Sequence, residues 1–168
     1  MPPTNAPELT RAIDPATLQR FAADLSALCD PAHDRVLVAV SGGPDSLALL
    51  LLTHALLGDR CGAATVDHGL RPEATEEAAW VADLCATRGI GHAVLRGDLP
   101  ERTGHTANLS ARARALRYDL LQAYADTVGA THIATAHHAD DQVETLIMRL
   151  NRGPGSAGWR GYARKAGG

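Results

Sequence analysis

The hydrophobic pattern switches between two periods along the chain. Val36 to Val40 is an almost unbroken apolar run, as expected of a strand buried on both faces of a parallel sheet. It ends at Ser41-Gly42-Gly43, and an apolar helical pattern starts at once, predicting a helix from about Pro44 to Leu57. Proline suits its first position, where the missing N–H would have no helical partner. Upstream, Leu18, Phe21, Ala22, Leu25 and Leu28 mark one face of a helix with Asp14 as N-cap and Pro15 after it. Downstream, Arg60 to His68 reads as a second strand. Pro72, Glu73, Glu76 and Glu77 open a helix that turns Ala74, Ala78, Val81, Ala82 and Cys85 inward and closes at Arg88-Gly89. A third strand is expected at about Gly91 to Leu95, a long helix from about Thr106 to Val128, and a fourth strand at Thr131 to Ala136. From His137 to Leu150 the apolar residues Val143, Leu146, Ile147 and Leu150 again have helical spacing. Strand and helix in alternation predict an α/β fold, a Rossmann-like doubly wound and mostly parallel sheet.

Composition narrows this picture. The 168 residues are one domain's length, and 45% hydrophobic content with only 4% aromatic predicts an aliphatic core. A net charge of −3 argues against a surface that holds nucleic acid by bulk charge, so any RNA contact must be local. Cys29, Cys61 and Cys85 are widely spaced without a CxxC pair. That argues against a zinc ribbon, a redox dithiol or an iron–sulfur cluster and for buried reduced thiols. No segment has the apolar length of a membrane span, and the start lacks a basic-then-apolar signal pattern, so a cytoplasmic location is expected.

The chemistry is expected at two places. In the first, Ser41, Gly42, Gly43, Pro44, Asp45 and Ser46 join a buried strand to a helix N-terminus. Two glycines let successive N–H groups converge on an anion, and the helix dipole adds to the attraction. The segment is neither GxxxxGK[ST] nor GxGxxG, and its alternative reading is a tight turn with a capping serine. Asp45 beside an anion requires a bridging cation or a structural role at the helix start. The second place is His137, Asp140 or Asp141, Glu144 and Met148, which would share one helical face. These carboxylates could hold Mg²⁺ through oxygen, orient an amine nucleophile, or simply cap a helix, with zinc less suited to the spacing. Arg114 and Arg117, three apart, would share a side of the long helix.

The loop SGGPDS at 41–46 resembles that of the PP-loop ATP pyrophosphatases. With VDHGLR at 66–71, ARALRY at 113–118, ATAHHADDQVET at 134–145 and RGPGSAGWRG at 152–161 in this order, the chain resembles the N-terminal catalytic domain of the tRNA(Ile)-lysidine synthase family. The resemblance implies a PP-loop fold of the adenine nucleotide alpha hydrolase type, with ATP and Mg²⁺ as cofactors. It implies a carbon–nitrogen ligase that adenylates the wobble cytidine of tRNA(Ile) with a CAU anticodon and joins free L-lysine to it. Ser41, Gly42, Gly43, Pro44, Asp45 and Ser46 would bind ATP phosphates, and Val66 and Asp67 would border the adenosine. Asp140, Asp141, Glu144 and His137 would handle lysine, Asp45 and Asp141 magnesium, and Arg114, Arg117 and Arg71 the charge that develops. Ser110 stands where the family often has an acidic residue. Residues 1–30 would form an extension and helix, 31–151 the catalytic domain, and 152–168 a basic glycine-rich tail leading toward tRNA-gripping regions beyond. A homodimer is left open, and another PP-loop ligase or amidotransferase, or an ATP-binding module alone, are the alternatives.

Overall fold

The computed structural model describes residues 13–68, 72–97, 109–139, 142–149 and 160–165. Asp14 caps helix α1 (Pro15–Ser26) by accepting from Thr17 N at 2.9 Å. Then follow β1 (Val36–Ala39), α2 (Pro44–Leu57), a single 3-10 turn, β2 (Cys61–Asp67), α3 (Pro72–Thr87), β3 (Gly91–Arg96), α4 (Leu109–Val128), β4 (His132–Ala139), β5 (Gln142–Arg149) and β6 (Arg160–Lys165). The strands form one sheet in the order β3-β2-β1-β4-β5-β6. The first four run parallel, while β5 and β6 are antiparallel at the far edge. The fold is the mostly parallel Rossmann-like sheet that the alternating pattern predicts.

β1 shows why its sequence has no polar side. Val36, Val38 and Val40 pack with Leu47, Leu50 and Val81 of α2 and α3 in one core, together with Leu25 of α1. Leu37 packs with Leu121 and Ala125 of α4 and Ile133 of β4 in a second core. Successive side chains of a strand face opposite ways, so a strand between two helical layers is apolar throughout. The helix α2 is correspondingly apolar on several sides, with Leu47, Leu49, Leu50 and Leu57 buried. Thr53, fully buried, satisfies its hydroxyl by donating to Leu49 O at 2.7 Å.

Two expectations change at the end of the chain. Gln142–Arg149 is a strand, not a helix, and it pairs with β4 so that Ile133 faces Met148 and Thr135 faces Leu146 in the register. The β-branched residues Val143, Thr145 and Ile147 fall at alternate positions, which favours an extended chain as strongly as the apolar spacing favours a helix. The tail, expected to be a basic glycine-rich stretch without a strand, contains β6, paired with β5. The expected start of the long helix at Thr106 lies outside the described residues.

Order β3-β2-β1-β4 makes the chain leave β1 toward β2 on one side and reach β4 on the other. At such a switch point the carboxyl ends of the two central strands part, and a crevice opens between their loops.

Candidate functional site

The loop after β1 is fixed by its own hydroxyls. Val40 N donates to Ala64 O at 2.8 Å, which carries the pairing one residue past the strand. Ser41 N then donates to Ser46 Oγ at 3.2 Å, and Ser46 Oγ donates to Gly43 O at 2.9 Å. Since that proton is used, the 3.3 Å contact between the two serine hydroxyls has Ser41 as donor. Ser46 is buried and serves as the knot of the loop, whereas Ser41 is exposed. Gly42 has φ of 85°, a left-handed conformation, while Gly43 is an ordinary extended N-cap of α2 without a side-chain cap. Pro44 follows at the helix start, and Asp45 lies in the first turn. The amino end of a fourteen-residue helix therefore points its dipole at the crevice.

Beside the loop is a cavity of about 180 Å³. Ala39 and Ala64, register partners, keep its floor low, and Thr135 shares that row as the partner of Ala39. Ser41, Val66, His68, Glu77 and Arg117 complete the walls. Asp67 is placed differently from its neighbour Val66: it is buried, and its Oδ2 accepts from Thr75 Oγ1 of α3 at 3.2 Å. Of the two arginines, Arg117 reaches the cavity, and Arg114 lies over the ring of Tyr118, 5.2 Å from its centre. His137 and Glu144 are Cα partners across β4 and β5, so the hairpin juxtaposes the two positions that the sequence placed on one helical face. Asp140, Asp141 and Arg71 lie outside the described residues.

Among the described residues, no three His, Cys, Asp or Glu side chains come together to hold a metal. Burial pushes the three free thiols up, Cys29 and Cys85 to about 11 and Cys61 to about 12. They are protonated, unreactive core residues.

Burial holds His68 below the usual histidine range, with the Arg117 charge adding to the effect and Asp67 opposing it. Burial lowers His92 as well, where its Nε2 is 2.9 Å from Thr65 Oγ1. A histidine with a lowered folded pKa takes up more protons in the unfolded chain. Stability therefore rises with pH toward the ordinary value of about 6.5 and is lost as pH falls below it. The thermal midpoint is expected to be level above pH 7 and to fall between pH 6.5 and 5, with a shallower slope in His92→Gln. A level profile down to pH 5 would contradict this.

His68 and Thr135 are the cavity residues that sequence reasoning passed over. His68 was visible only as part of the VDHGLR segment at the end of the second strand, and a threonine in a strand looks like an ordinary β-former. Neither His68 Nδ1 nor Thr135 Oγ1, both buried atoms, has a hydrogen-bond partner among the described residues.

A glycine loop knotted by serines at the carboxyl end of the central strand is matched by a family model described as the PP-loop domain, over residues 16–167. The chain belongs to the PP-loop domain family. A relative from Novosphingobium aromaticivorans, named tRNA(Ile)-lysidine synthase, is 54% identical over 142 residues, covering 84% of this chain and 42% of the relative. Another of the same name from Rhodopseudomonas palustris is 48% identical over 137 residues, covering 77% and 38%. This PP-loop chain thus spans less than half the length of these relatives. Among solved structures it is similar to the tRNA thiolase NcsA of Methanococcus maripaludis, with a TM-score of 0.56 and 19% identity over 65% of this chain and 39% of that one. That likeness bears on the PP-loop fold. No helix among the described residues is long and apolar enough to cross a membrane.

Proposed function

We propose that the chain is the nucleotide-using part of a tRNA(Ile)-lysidine synthase, a carbon–nitrogen ligase that consumes ATP. The observation that carries the reading is the Ser41–Ser46 loop at the switch point, opening on a cavity walled by Arg117. The names of relatives at 48% and 54% identity extend it to tRNA and lysine. Backbone N–H groups of the loop and the α2 dipole would receive the phosphates. The C2 oxygen of the wobble cytidine would attack the α-phosphorus of ATP, with pyrophosphate leaving. The ε-amine of lysine would then add at C2, lose a proton, and displace AMP. Arg117 is positioned to meet negative charge in either step. Glu144 and His137, with Asp140 and Asp141 between them in sequence, suit an ammonium that must be bound and then deprotonated.

Mg²⁺ commonly binds through one or two carboxylates together with substrate phosphates, and Asp45 beside the loop fits that habit. When bound it would neutralise phosphate charge. A sulfur-transferring variant of another PP-loop enzyme would need a reactive cysteine, and the three thiols here are buried with raised pKa. Such a tRNA-modifying enzyme would work in the cytoplasm.

The test is release of AMP and pyrophosphate from ATP, with and without lysine and a tRNA(Ile) transcript bearing CAU. Release requiring both is the expected result. Release supported by ammonia or a sulfur donor instead of lysine would reassign the acceptor.

A further inference from the structure

Thr135 is 3% exposed, and its hydroxyl has no hydrogen-bond partner among the described residues, yet it borders the cavity. A buried hydroxyl is normally paired, because leaving it without a partner costs its hydration. Val would fill the same volume in a strand at no such cost. His68 Nδ1, on the same cavity, is unpaired in the same sense. Both residues border the cavity together with Ala39, Ala64 and Val66, so a small rotation of either side chain would bring an unsatisfied polar atom to a ligand there. This lining is a surface for the sugar and base of a nucleotide, while the convergent N–H groups of a phosphate cradle lie in the neighbouring loop.

We infer that the Thr135 hydroxyl is a ligand-binding group that hydrogen-bonds the nucleoside half of the bound nucleotide, held ready at the expense of the empty protein's stability. This rests on the reading of the cavity as a nucleotide site. Thr135 meets the ligand from β4 and His68 from just past the end of β2, so the nucleoside is approached from both sides of β1. Residues that are costly when empty and satisfied when loaded are a familiar origin of the conflict between stability and function.

The experiment compares the wild-type chain, Thr135→Val and Thr135→Ser in binding AMP and inorganic pyrophosphate and in thermal midpoint without ligand. Thr135→Val is expected to bind AMP about tenfold more weakly, the ratio that corresponds to one hydrogen bond. Its affinity for pyrophosphate, which occupies the loop alone, is expected to be unchanged. Its ligand-free midpoint is expected to rise by about 2–4 °C. Thr135→Ser, which keeps the hydroxyl, should bind AMP within about twofold of wild type. AMP affinity unchanged in Thr135→Val would overturn the inference. So would a parallel loss of pyrophosphate binding, or a lowered midpoint, because each would mark the residue as structural. A wild-type chain that binds neither AMP nor pyrophosphate would remove the nucleotide reading itself, and that outcome is recognised before any variant is considered.

Discussion

Asp45→Ala is expected to lower ATP-dependent pyrophosphate release about 100-fold, the size of effect carried by one well-placed charged group. The direction is not obvious from electrostatics alone. Asp45 sits in the first turn of α2, where its charge complements the helix dipole and also opposes an incoming phosphate. Without divalent cation, removing that carboxylate should strengthen pyrophosphate binding. With Mg²⁺ present it should weaken both binding and turnover if Asp45 is one of the carboxylates that hold the cation. The thermal midpoint should drop by no more than a few degrees, since a charge at a helix start is worth about 0.3–1 kcal/mol. A variant with full turnover in Mg²⁺ would mean that Asp45 is only a helix-start residue. The reversal of sign between the two conditions separates a cation-mediated role from simple damage to the loop.

Gly42→Ala is the second large effect, and its cause is conformation, not space. A Cβ at Gly42 would lie 3.6 Å from Glu77 Cβ and 3.9 Å from Val81 Cγ2, both ordinary contacts. The φ of 85° is the obstacle, because an L-residue held there loses about 1–2 kcal/mol. If the backbone relaxes to escape the strain, Ser41 N moves off Ser46 Oγ and the knot of the loop opens. Either way nucleotide affinity is expected to fall at least 30-fold, with a midpoint lowered by about 2–8 °C. Gly43→Ala is the control. Its φ is ordinary, the added Cβ would be 3.6 Å from Ser41 Oγ, and the N-cap change costs about 0.5 kcal/mol. Equal losses in the two variants, by calorimetric binding and thermal melts, would refute the conformational account.

Much of this arrangement was legible because the relevant signals are local. Pro44 at the head of α2 and Gly58 just beyond Leu57 bracket a helix found within the expected bounds. The apolar run at Val36 marked a strand sandwiched between two layers. The stretch from Gln142 was misread because Val143, Leu146 and Ile147 satisfy a helical spacing while Val143, Thr145 and Ile147 satisfy an alternating one. Pairing with β4, a contact that no local pattern encodes, is what the strand gains from the second choice. The split between Arg114 and Arg117 was equally hidden. Three residues apart on α4 puts both on one side, but only the packing against Tyr118 and the cavity separates their surroundings. Thr135 lies in the ATAHHADDQVET segment, yet nothing there singles it out, since what distinguishes it is a hydroxyl without a partner among the described residues.

The loop hangs between β1 and α2, whose Val36, Val38 and Leu50 have no exposure at all, and it is clamped by Val40 N to Ala64 O and Leu47 N to Gly43 O. The clamping amides of Val40 and Leu47 should exchange with solvent deuterium only through openings close to global unfolding, although functional loops are usually drawn from the first parts of a protein to open. A ligand thus meets a seat that is already ordered, so docking onto the loop sacrifices little conformational entropy. Regulation of this chain by loosening the seat would mean melting the domain.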